Sequence, residues 1–168
     1  KSMGMISGNT QLVGLLGQPV EHSLSPAMQN AAFAEMGLDW CYLALPCATN
    51  NLQEVLKVLG KLNCKGLNIT IPHKENVAKL CTRLSPLAKQ LNAVNTLMPN
   101  EESGWSGDNT DLGGFLAPLK EQQWQGNQAV VIGCGGSARA VVAGLENLKT
   151  KEITIVGRQE NSLNSFIK

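Results

Sequence analysis

The chain has 168 residues, 43% hydrophobic and 16% charged, which suits one ordinary domain or two small ones with a buried core and argues against disorder. Lys and Arg number 14 against 13 for Asp and Glu, so no basic field is available to hold a nucleic-acid backbone or an anionic membrane, and a small-molecule partner is expected. Cys41, Cys47, Cys64, Cys81 and Cys134 show neither CxxC spacing nor a nearby histidine, which argues against a zinc site or a disulfide framework, so no metal is expected. No apolar run approaches about 18 residues and no charged-then-apolar leader is present, and a soluble cytoplasmic protein is the expectation.

Along the chain, apolar patterning switches between strand and helix. Residues 12–17 and 40–45 read as short buried strands. Between them Ser25 is a candidate cap for a helix whose first turn holds Pro26 and which runs to about Gly37. Leu52, Val55, Leu56, Leu59 and Leu62 repeat at helical spacing and share one face. Residues 66–71 read as strand, 75–81 as a short helix after Pro72, and 93–98 and 105–107 as further extended pieces. Residues 112–122 look helical, with Pro118 expected to kink or end the helix. A buried strand at 129–132, a helix at 137–148 and a strand at 152–156 complete the pattern. Such alternation predicts parallel βαβ units and an α/β fold. The polar, glycine-containing stretch 100–107 is the best boundary, dividing the chain into units 1–107 and 108–168.

The second unit carries AVVIGCGGSARA. Its strand, Gly133-x-Gly135-x-x-Ala138 and following helix form the context of a dinucleotide fingerprint. Gly133 permits a tight turn, Gly135 lets backbone approach a pyrophosphate, and the helix start near Ser137 offers free N–H groups. Gly133, Cys134, Gly135, Gly136, Ser137 and Ala138 are therefore candidate cofactor contacts. A glycine-rich turn without a ligand is the plainer reading, but the flanking strand and helix favour a cofactor. After strand 152–156, where an NAD site usually places an acid, stands Gly157-Arg158. A guanidinium there suits a 2′-phosphate, which points to NADP.

In the first unit, polar residues fall at the ends of extended segments. HSLSP pairs Ser23 with Ser25. GLNITIPHK sets Asn68, Thr70 and Lys74 around a strand end, AVNT contains Asn95, and GDNTD ends in Asp111. Singly, each has a structural explanation as a cap, strand residue or solvated side chain. Together they supply the hydroxyl, amide, ammonium and carboxylate groups that a polyhydroxylated carboxylic acid needs.

In that order, HSLSP, NITIPHK, AVNT, GDNTD and VVIGCGGSARA resemble the shikimate dehydrogenase family over nearly the whole chain. The resemblance implies NADP-dependent reversible reduction of 3-dehydroshikimate to shikimate. It also implies an α/β substrate-binding domain followed by the start of a Rossmann dinucleotide-binding domain. On that resemblance Ser23 and Ser25 hold the substrate carboxylate. Asn68, Thr70, Asn95 and Asp111 bind ring hydroxyls, and Lys74 is the acid/base paired with Asp111. The family's Asn-Arg-Thr is here Gly157-Arg158-Gln159. Family members are longer, so the chain is expected to be the N-terminal portion of such an enzyme, a monomer or homodimer. A quinate/shikimate enzyme using NAD and a non-catalytic shikimate-binding module are the rival readings.

Overall fold

A computed structural model describes residues 6–167; the ends of the two expected units, 1–5 and 168, lie outside the described residues. Six strands share one sheet: β1 (Gln11–Gly17), β2 (Trp40–Pro46), β3 (Gly66–Ile69), β4 (Arg83–Leu84), β5 (Thr96–Pro99) and β6 (Trp105–Asp108). Their order across it is β2-β1-β3-β5-β6-β4. A second sheet pairs β7 (Gln128–Ile132) with β8 (Glu152–Val156) in parallel. Among the described residues seven α-helices accompany them: α1 (Ser25–Met36), α2 (Leu52–Lys61), α3 (Lys74–Ala78), α4 (Pro86–Leu91), α5 (Asp111–Glu121), α6 (Gly136–Asn147) and α7 (Glu160–Ile167). None of these is long and apolar enough to cross a membrane.

The α/β class expected from the alternation is present, but the large sheet is mixed. β1 pairs in parallel with β2 and β3, whereas β5 runs antiparallel to both β3 and β6. The connection from β5 to β6 is short, too short for the crossover that parallel neighbours require. This reversal has a functional consequence: the carboxyl ends of β1, β2, β3 and β6 and the amino end of β5 all open on one edge.

Strand alternation divides the core between the two sheet faces. Leu16, Leu67, Ile69, Leu97 and Trp105 face α2, α3 and α4, where they meet Leu52, Leu56, Leu59, Val77 and Ala88. Val13, Leu15 and Tyr42 face the other way, toward Phe33 of α1. Leu16 and Leu97 are fully buried, and each such side chain contributes on the order of 1.5–3 kcal/mol by leaving water. The Trp105 indole donates to the Leu56 carbonyl at 3.0 Å, tying α2 to β6.

Several local expectations change. The leucine stripe is buried at Leu52, Leu56 and Leu59, but α2 ends at Lys61 and Leu62 stays exposed. Pro118 sits inside α5 without ending it. Ser25 is the first residue of α1, not its cap; Leu24 holds the cap position without a side-chain bond. The cap-like role falls to Ser23, whose Oγ accepts from the Ser25 N–H at 3.2 Å. Gly37 closes α1 in the left-handed conformation.

Candidate active site

The shared edge of the sheet collects the polar residues. β3 ends at Ile69, and the chain continues through Thr70 and Pro72 into α3, which begins with Lys74. The Thr70 N–H bonds to the Leu16 carbonyl at 3.0 Å, so Thr70 stays in register beside β1. His73 anchors the start of α3. It is fully buried, and its Nε2 lies 2.7 Å from the Cys47 carbonyl. That oxygen only accepts, so the Nε2 nitrogen carries the proton.

Lys74 Nζ donates to Asp111 Oδ2 at 2.7 Å. The side chains are only 12% and 27% exposed, so the pair is screened from water on most sides. Asp111 is the first residue of α5, where the helix dipole favours a carboxylate, and its N–H is held by Asn109 Oδ1 at 2.9 Å. Its other oxygen accepts from Asn95 Nδ2 at 2.8 Å. Asn95, immediately before β5, is fully engaged: Nδ2 also donates to Thr110 Oγ1, and Oδ1 accepts from the Thr96 hydroxyl and the Thr110 N–H. Asn95 thus fixes the carboxylate that fixes the lysine.

Asn68 lies one residue out of phase with Leu67 and Ile69 and therefore faces the α1 side of the sheet. There the Tyr42 hydroxyl donates to Asn68 Oδ1 at 2.8 Å, which turns the Asn68 amide N–H groups toward Thr96 and the Asn95 carbonyl, at 3.5 and 3.4 Å. Burial pushes the Tyr42 phenol up to about 12, while a hydrogen bond from the Ser25 hydroxyl acts in the opposite direction. Ser25, Tyr42, Asn68, Thr96, Asn95, Asp111 and Lys74 therefore form one continuous polar chain. The sequence offered no signal for Tyr42, because an aromatic residue within a strand reads as core.

The second sheet brings up the glycine loop. Gly133 has φ +117°, a conformation that only glycine adopts without strain. Gly135 caps α6 with no side-chain bond, so the first-turn N–H groups of that helix have no capping side chain. A Cβ at Gly133 or Gly135 would meet no atom within 4 Å, so the loop faces open space. Gly133, Cys134, Gly135, Gly157 and Arg158, with Glu75, line a groove of about 990 Å³. Gly136, Ser137 and Ala138 do not line it. Gly136 packs on Lys74, and the Ser137 hydroxyl accepts from Lys74 Nζ at 2.9 Å. The loop, the bare helix start and the exposed Arg158 fit a dinucleotide with a 2′-phosphate.

Fold and site together define an α/β protein in which a polar, hydrogen-bonded edge of the main sheet abuts a dinucleotide-type loop. Residues 15–97 match the model of the shikimate dehydrogenase substrate binding domain. The chain is 51% identical over 164 residues to the shikimate dehydrogenase (NADP(+)) of Prochlorococcus marinus strain MIT 9301, covering 98% of this chain and 57% of that relative. It superposes with a TM-score of 0.84 on a shikimate dehydrogenase crystallised with NADP+, at 36% identity over 96% of this chain and 56% of that one. The shikimate 5-dehydrogenase of Thermus thermophilus, crystallised with NADP(H) and shikimate, gives 0.80 at 34% identity over 93% and 59%. The chain belongs to the shikimate dehydrogenase family, and it spans 57% of the length of the curated relative named above.

Tyr42 is the one tyrosine in the sequence, so the phenolate absorbance of this chain reads it directly. With a folded value of about 12 against 10.0 ordinarily, its contribution to stability is complete below pH 10 and is lost as pH rises from 10 through 12. An absorbance titration should show almost no phenolate at pH 10 in the folded chain and half-titration near 10 in denaturant. A folded midpoint near 10 would contradict the buried, hydrogen-bonded phenol.

Proposed function

We propose that this chain forms the substrate site and nucleotide loop of an NADP-dependent shikimate dehydrogenase, acting in aromatic amino acid biosynthesis. The observation that carries the reading is the Lys74–Asp111 pair, 2.7 Å apart and largely shielded, where the polar sheet edge meets the glycine loop. Residues 1–107 make up the substrate-binding domain and 108–168 the first part of a Rossmann domain, in a cytoplasmic protein. The five free cysteines are in keeping with a reducing compartment.

The chemistry that NADP supplies when bound is hydride transfer to or from the ring carbon that carries the reacting oxygen. This chain supplies the rest. Ser23 and Ser25 hold the substrate carboxylate, the Ser25 hydroxyl turning to it from Tyr42. Asn68 donates to a ring hydroxyl from the orientation Tyr42 imposes, and Thr70 offers its hydroxyl beside it. Asn95 joins them by exchanging a Thr110 bond for a ring hydroxyl. In the reducing direction Lys74 Nζ donates to the carbonyl oxygen, stabilises the negative charge that grows there and passes it a proton. Asp111 compensates the ammonium and keeps it aimed. Arg158, just beyond β8 on the rim of the groove, pairs with the 2′-phosphate, while Gly133 and Gly135 leave room for the pyrophosphate, and Cys134 and Gly157 line the groove beside them.

In the full-length protein Lys74→Ala should lower kcat for shikimate oxidation by about 10²–10⁴, with a much smaller rise in KM. A kcat near wild type would overturn the assignment. Arg158→Ala should weaken NADP binding while leaving NAD nearly unchanged, as measured by calorimetry with each cofactor. Equal losses for both would remove Arg158 from 2′-phosphate recognition.

A further inference from the structure

Ser137 stands at the junction of the glycine loop and α6 and does not line the nucleotide groove. Its hydroxyl lies 2.9 Å from Lys74 Nζ. The same junction meets α3 at two further points. A Cβ at Gly136 would come within 2.9 Å of Lys74 Cβ, so only glycine permits so close an approach. Arg139 lies 3.7 Å from Glu75, the residue after Lys74. Beneath these contacts Ala140 packs with Leu91 and Ala93. The start of α6 and the start of α3 are thus fastened by a hydrogen bond, a close contact at Gly136 and an ion pair, while the apolar cluster seats α6 on α4 and on the segment before β5.

We infer that Ser137 is a positioning residue for Lys74, through which the state of the nucleotide loop reaches the substrate side. This rests on the proposed role of Lys74 as the acid/base. An ammonium has three N–H donors. Asp111 takes one and Ser137 a second, and the third is left for the substrate oxygen. Asp111 supplies the compensating charge, whereas the neutral Ser137 oxygen supplies direction only. Without it the nitrogen hangs from a single anchor on a flexible four-carbon stem. The third N–H then points at the reacting oxygen for less of the time, a defect in catalysis more than in ground-state binding. Because the Ser137 oxygen moves with the loop, ordering of the loop by the cofactor also orders the ammonium, and the two ligand sites become coupled.

The test uses Ser137→Ala and Ser137→Thr in the full-length enzyme. Ser137→Ala should lower kcat about tenfold with KM for shikimate within about twofold, the signature of a contact needed only for the reaction. Ser137→Thr, which keeps the hydroxyl, should restore most of the rate. Independently of turnover, calorimetry should show NADP+ tightening shikimate binding about fivefold or more in the wild type, within the usual range of site coupling, with that gain lost in Ser137→Ala. Unchanged kcat, failure of threonine to rescue, or the same coupling in both proteins would overturn the inference. If the wild type fails to bind shikimate at all, the proposed function fails with it.

Discussion

The structure turns on one constraint: two opposite charges, Lys74 and Asp111, are held 2.7 Å apart where only 12% and 27% of their side chains reach solvent. A shielded ammonium or carboxylate without its partner is costly, because a charge held away from water needs a compensating one. The pair therefore has to be delivered together, from positions 37 residues apart in sequence. The mixed sheet does this. β3 delivers α3 and Lys74 to the edge, and β6 delivers α5 and Asp111 to the same edge because β5 runs antiparallel between them.

Around the pair, polar groups are arranged so that almost none is left to choose its own orientation. Asn95 gives both its donors and both its acceptor positions to protein, which locks Asp111. Tyr42 decides which way Asn68 faces. In a site of low effective dielectric, such a network is stable only when its members are satisfied together. It runs from Ser25 to Ser137, from the first residue of α1 to the first turn of α6. The polar edge of the main sheet and the glycine loop thus share one hydrogen-bonded path, and Gly136 lets the backbone of the loop come close enough to join it.

Much of this was legible in the sequence where the cause is local. Leu52, Leu56 and Leu59 follow the helical period, and Gly37 ends α1 as glycine usually does. The strand-loop-helix around Gly133 and Gly135 has the form its motif requires. The polar residues of NITIPHK, AVNT and GDNTD do stand at element ends. What could not be read depends on partners distant in sequence. Tyr42 looks like core until Asn68, 26 residues away, is placed beside it. That the Ser137 hydroxyl also meets Lys74, 63 residues away, has no sign in the local sequence. β4 is too short for a periodic signal and forms because β6 receives it, and α4 is equally short, marked only by its ends, with Ser85 capping it before Pro86 and Asn92 closing it. Ser25 has the composition of a cap, but it is the first residue of α1, and Ser23 takes over its N–H.

The central claim is that Lys74 and Asp111 face the reacting oxygen of a substrate whose carboxylate lies at the paired serines. Its most direct test is a crystal structure of the full-length protein with shikimate bound. The account predicts a ring hydroxyl oxygen within about 2.6–3.2 Å of Lys74 Nζ, with the carboxylate against Ser23 and Ser25. Shikimate bound with its carboxylate at Lys74, or away from the carboxyl ends of β1 and β3, would contradict it.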